Sequence, residues 1–300
     1  MSEISRSFGP RLSDAHFKQF ADISAEAFGV YEAAIAVADF DDPLVFFYSR
    51  LAYSASSTSS AIRLLASWDT TIPAIALGRV RLEQIVVTSF LIHEDTKIAL
   101  TPYLAHYPIE SYKSNKEAIK NERLKPFLPT AAHDATTLAA VAAKKRLDPA
   151  FDGSAASLNR SKWTELDLLS MAKRRDSLTK DSQNISRYPL ELSYLSFYRD
   201  FSSVVHSGSM SISPEFVAMF KTEDGRVHIM PNPVWSRLLM MTLSTWDILH
   251  VFELLSAMQI DRESELKALH SRWLSHRDQF FQEKDQPNQS IQPTAPSGRG

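Results

Sequence analysis

Apolar residues recur three and four positions apart along most of the chain, and no run of alternating β-branched residues is long enough for a sheet. That pattern predicts a mainly helical fold. The first periodic stretch runs from the capping residue Ser13 to about Ala38, with Phe17, Phe20, Ala27, Tyr31 and Ala34 on one face. Asp42-Pro43, a cap followed by proline in the first helical position, opens a second helix through LVFFYSRLAYSASSTSSAIRLLASW. DTTIP at 69–73 opens a third, AIALGRVRLEQIVVTSFLIHED, which is apolar on most of its circumference and so is expected at the centre of the fold.

Pro102, Pro108, Pro126 and Pro129 then predict a loop over 101–130, with at most a short helix near 114–122. AAHDATTLAAVAAKKRL is helical by propensity, DPAFDGSAAS at 148–157 has the composition of a linker, and SKWTELDLLSMAKRRDSL is expected as a helix capped by Ser161. Pro189 starts another helix, for which Gly208 is the expected stop. Asp224-Gly225 predicts one turn or short hairpin near 221–230. Asn232-Pro233 opens a long apolar helix to about Met258, and Asp261 a charged one to about Glu283. The expectation is an all-α helical bundle: a flexible N-terminus over 1–12, one helical domain over 13–282, and a tail over 284–300 too polar to pack and therefore disordered.

Composition narrows the function classes. The apolar share of 44 % and charged share of 23 % are those of an ordinary folded chain, and a net charge of −2 leaves nucleic-acid binding to a local patch. The absence of cysteine excludes disulfides, thiolate nucleophiles and cysteine-ligated zinc, and fits a reducing compartment. The N-terminus carries no apolar core of signal-peptide length. The apolar segment 234–258 contains Arg237, Asp247, His250 and Glu253, so it reads as a buried helix and not a membrane span. A cytoplasmic protein with no membrane partner is expected.

Candidate chemistry centres on YRDFSSVVHSG, residues 198–208. On a wheel of about 100° per residue, Leu190, Tyr194, Phe197, Tyr198, Phe201, Val204 and Val205 form an apolar face. Arg199 and His206 lie on the other side, flanked by Leu192, Leu195, Ser202 and Ser203. Such a strip suits a half-covered surface: an arginine can grip phosphate oxygens, and a histidine can act as general acid or base near neutral pH. The plain alternative is a histidine favoured by the helix dipole beside a solvated arginine. Spacing does not decide, because roughly two Arg/His pairs with four to six intervening residues are expected by chance and two occur, the other being Arg11 and His16.

The run Arg199, Asp200, five residues, His206 resembles the R-x4-6-H signature of HEPN domains, all-helical modules in which the residue after the arginine is typically Asn, Asp or His. A wider pattern is similar to a bacterial family known only as a domain of unknown function. It comprises RVRLEQ with Arg79, Arg81 and Glu83, a tryptophan helix KWTEL, and then Tyr194, Tyr198, Ser203 and His206. The resemblance covers about residues 60–210. It implies a metal-independent endoribonuclease or RNA-binding module of the defence or toxin type, often a homodimer through the Arg/His helix. In that reading Arg199 meets phosphate, His206 is the acid/base, Asp200 orients one of them, and Ser203, Glu83, Arg81 and Tyr198 support. Many relatives of that type are non-catalytic scaffolds, so a protein-interaction role for the same strip stays open.

Other constellations carry less. Arg79 and Glu83 are explained by a local ion pair, HED at 93–95 lacks a second histidine at helical spacing, and eight glycines leave no phosphate- or dinucleotide-binding loop. AKRRD at 172–176 and KKR at 144–146 read as solvated helix faces. No metal or cofactor is expected.

Overall fold

The computed structural model describes residues 14–68, 70–121, 130–198, 201–202, 217–221, 227–231 and 233–285. Ten α-helices are described: α1 Ala15–Ile35, α2 Pro43–Ser67, α3 Thr71–His93, α4 Leu100–Lys120, α5 Thr130–Leu147, α6 Ala155–Arg160, α7 Leu168–Thr179, α8 Leu190–Ser193, α9 Pro233–Ala257 and α10 Glu263–Asp285. A π turn, Tyr194–Tyr198, continues α8. Strands β1 Val217–Lys221 and β2 Val227–Pro231 pair antiparallel, with Met219 opposite Ile229. The fold is all-α with this one hairpin among the described residues, and the Asp224-Gly225 turn expected to join the strands lies outside them. So do Ser13, Gly208, Asn232 and the two chain ends.

The described residues form two units. Unit 1 holds α1, α2, the first two thirds of α3, residues 195–202, the hairpin, α9 and α10. Its axis is α9, against which α1, α2 and α10 pack. Phe17, Phe20, Ile23 and Ala27 of α1 and Leu243, Trp246 and Leu249 of α9 are fully or almost fully buried. By length and composition α9 could cross a membrane, but 89 % of its most apolar window is buried inside the protein, as befits the core helix of a bundle. Asp14, one residue past the expected Ser13, caps α1 by accepting from Phe17 N at 3.1 Å, and its other oxygen takes Arg237 Nε at 2.6 Å. Asp42 caps α2 with Pro43 at its start, as the sequence requires.

Unit 2 holds the end of α3 and α4 to α8. Three expectations fail here. The first part of the proline-rich stretch forms the long helix α4, because Pro102 falls in its first turn, where no amide partner is lost, and burial of Leu100, His106, Ile109 and Tyr112 offsets the one bond missing at Pro108; Pro126 and Pro129 lie outside the described residues. The linker-like stretch contributes Phe151 to the core, where it packs with Leu158 just beyond it and with Ile109, Tyr112, Ala140 and Ala143. Ser161 ends α6 and starts nothing; α7 begins at Leu168, capped by Asp167, whose carboxylate accepts from Ser170 N at 2.7 Å.

Candidate functional site

Arg199, Asp200, Ser203 and His206 lie outside the described residues. What surrounds the approach to them is described in detail. Residues 194–198 take the π form, in which each amide reaches one residue further back than in an α-helix. The 100° wheel therefore does not hold across this stretch. Leu190 and Phe201, on either side of it, are buried, whereas Tyr194, Phe197 and Tyr198 are only half-buried. Leu192 and Leu195, expected on the half-covered strip, are 59 % and 56 % exposed.

Phe201 is seated by a close approach. A Cβ on Gly78 of α3 would lie 2.9 Å from Cε2 of the Phe201 ring and 3.3 Å from Cδ1 of Leu239, so the glycine makes room for the ring to approach that helix this closely. Phe201 and Phe197 also meet Trp246 edge-on, with centroids 6.5 and 5.9 Å away. Phe201 is thereby fixed in the core of unit 1, and Phe197 at its edge.

Directly after Gly78 the surface of α3 becomes polar. Arg79 Nε donates to Glu83 Oε1 at 3.0 Å, and its Nη2 donates to the Tyr198 hydroxyl at 3.0 Å. That hydroxyl in turn donates to Glu83 Oε1 at 3.2 Å. Nη1 of Arg79 reaches Ser202 Oγ at 3.4 Å, and the guanidinium carbon stands 5.0 Å from the Tyr198 ring centroid. The side chains of Arg79 and Glu83 keep 27 % and 40 % of their surface in solvent. The hydrogen bond to Glu83 holds Arg79 above the ordinary arginine range, while burial and then the Glu83 charge push the Tyr198 hydroxyl up and keep it protonated. The cluster thus offers a fixed cation, a carboxylate and a phenol to anything lying along residues 198–202.

Of the supporting residues, Glu83 and Tyr198 come together and Arg81 does not join them. Arg81 is fully buried on the opposite side of α3, where Nε donates to Asp247 Oδ1 and to Ser59 Oγ, both at 3.0 Å. Ser59 and Ser24 hydroxyls donate to the two Asp247 oxygens, and Arg63 Nη1 donates to Ser24 Oγ at 2.7 Å. Burial pulls Arg81 below the ordinary arginine range, and Asp247 opposes that pull. The sequence did mark α3 as an apolar, central helix, but nothing in it names Asp247, which lies 166 residues away from Arg81.

In unit 2 the AKRRD stretch is a solvated face only in part: Lys173 and Arg174 are exposed, and Arg175 is not. Arg175 is fully buried, with Nε on Ser89 Oγ at 2.7 Å and Nη1 on the Tyr188 carbonyl at 2.6 Å. Asp176 accepts from the amides of Leu190 and Glu191 at 3.0 and 2.8 Å, capping α8, where Pro189 supplies no side-chain cap. The HED stretch is likewise engaged: Glu94 accepts from Arg174 Nε at 2.6 Å and Nη2 at 3.3 Å, which holds its carboxyl below the usual range.

These features define an all-α protein with a half-exposed Arg-Glu-Tyr cluster beside a π turn. The chain belongs to the family of unknown function DUF5677, whose family model matches residues 45–226, a span that includes the cluster and the Arg199–His206 stretch. No curated protein and no solved structure matches it.

Proposed function

We propose that the protein binds and cleaves RNA without a metal, at a HEPN-like site made of Arg199, Asp200 and His206. The observation that supports this reading is the Arg79–Glu83–Tyr198–Ser202 cluster, polar and half-exposed at a π turn, a distortion that recurs at functional sites. In the proposed reaction His206 takes the proton of a ribose 2′-hydroxyl, the 2′-oxygen bonds to the adjacent phosphorus, and the bond to the 5′-oxygen breaks as that oxygen gains a proton. Arg199 bears the phosphate charge, Asp200 orients one of the pair, and Arg79 with Tyr198 flanks the phosphodiester path. The proposal includes a cytoplasmic setting and two copies meeting through the Arg199/His206 helix.

The test is cleavage of labelled RNA by purified protein in a chelator. The expected products end in a 2′,3′-cyclic phosphate and a 5′-hydroxyl. His206→Ala and Arg199→Ala should abolish cleavage with melting unchanged, and Arg79→Ala should slow it by about tenfold or more. Intact RNA across varied substrates would overturn the reading. A second reading, a non-catalytic interaction surface, draws on the exposed Leu195 side chain; there the same substitutions would change self-association and nothing else.

A further inference from the structure

A pocket opens on the outer face of α2, lined by Phe40 just ahead of the helix and by Phe46, Arg50, Tyr53, Ser54 and Thr58. Its rings face water: Tyr53 is 76 % exposed, and Phe40 and Phe46 are about half exposed. The Arg50 guanidinium carbon stands 5.8 Å from the Phe46 ring centroid, and among the described residues Arg50 has no carboxylate partner. Outward aromatic rings beside an uncompensated arginine offer stacking surface and a phosphate donor in one place.

Two residues of the pocket lining are held by α3. Gln84 Nε2 donates to Ser54 Oγ and Thr58 Oγ1, both at 3.1 Å, and Gln84 directly follows Glu83 of the polar cluster. Gln84 therefore links the α2 residues that line the pocket to the α3 segment that carries the cluster. At the Phe40 end the turn carries Asp39, Asp41 and Asp42, with Asp39 accepting from Asp41 N and Asp42 from Leu44 N. Their charges repel phosphate there and leave Arg50 as the cation of the pocket lining, which fixes the direction of a bound nucleotide.

We infer that this pocket holds an unpaired nucleobase of single-stranded RNA, stacked on Tyr53 and Phe46 with its flanking phosphate on Arg50. The ligand class rests on the RNA reading given above. A base within a duplex is stacked on its own neighbours and has no free face to offer, so the pocket selects single strands.

The test uses the full chain, an unstructured fluorescent RNA oligonucleotide, the same sequence as a duplex, and mononucleotides observed by saturation-transfer NMR. Tyr53 and Arg50 are exposed, so Tyr53→Ala and Arg50→Ala are expected to melt as the parent does. Each should weaken single-strand binding about tenfold or more, whereas Tyr53→Phe, which keeps the ring, should bind as the parent does and the duplex should bind poorly. Parental affinity in both α2 variants, while His206→Ala abolishes cleavage, would overturn the pocket and leave the ribonuclease standing. If RNA is not cut, a base-proton NMR signal lost in Tyr53→Ala supports the pocket by itself, and absence of that signal in the parent overturns it. Variants that change only self-association in sedimentation would overturn it too, making the face a contact between copies.

Discussion

Arg79 and Arg81 stand two residues apart on α3 and have opposite fates. Arg79 keeps part of its surface in water and shares its charge with Glu83 and Tyr198. Arg81 has none, and its charge is balanced by Asp247, itself held by two serine hydroxyls. Removing one partner of such a pair strands the other, so Asp247→Ala should cost about 3–5 kcal/mol in urea unfolding, against about 1 kcal/mol for Ser59→Ala. Replacing Arg81 and Asp247 together by apolar residues should recover much of that loss. A loss for Asp247→Ala no larger than that of the serine variant would show that the ion pair does not hold α3 in place.

At the scale of elements, α8 is too short to stabilise itself and depends on a cap from elsewhere in the chain. Asp176 supplies it, and Asp176→Ala should cost about 1–2 kcal/mol and speed hydrogen exchange at the Leu190 and Glu191 amides. Unchanged exchange at those two amides would count against the cap. This is the kind of contact the sequence could not disclose. Helices with an apolar period and a local cap, such as α1 and α2, were legible, because both signals lie within a few residues of each other. The prolines of α4 were misleading because tertiary burial outweighed the local breaker. Ser161 misled because serine ends helices as readily as it starts them. The cluster was half legible: the four-residue spacing of Arg79 and Glu83 foretold their ion pair, but the π turn that delivers Tyr198 to it has no periodic signature.

For the whole molecule, acid sensitivity follows from histidines that fold in the neutral form. His250 is fully buried in α9, and burial first, then the Arg81 charge, pushes it well below the ordinary 6.5. Burial also lowers His106 in unit 2, against a smaller opposing pull from Glu110. Below pH 6.5 the unfolded chain takes up protons that these folded residues refuse, so stability is full above that pH and falls as the pH drops toward the depressed folded values. Denaturant midpoints should therefore drop between about pH 7.5 and pH 5, and His250→Gln should flatten part of that slope. Equal midpoints at the two pH values would contradict it.

Trp163 sits in unit 2 with its ring edge-on to Tyr103 at 5.1 Å and tilted against Phe90 at 6.2 Å. Of the five tryptophans in the chain, the other four, Trp68, Trp235, Trp246 and Trp273, fall in unit 1. The indole emission that disappears with Trp163→Phe is thus the signal of unit 2 alone. The molecule carries its own spectroscopic label, by which the melting of the two units can be followed separately in one cuvette without attaching a dye.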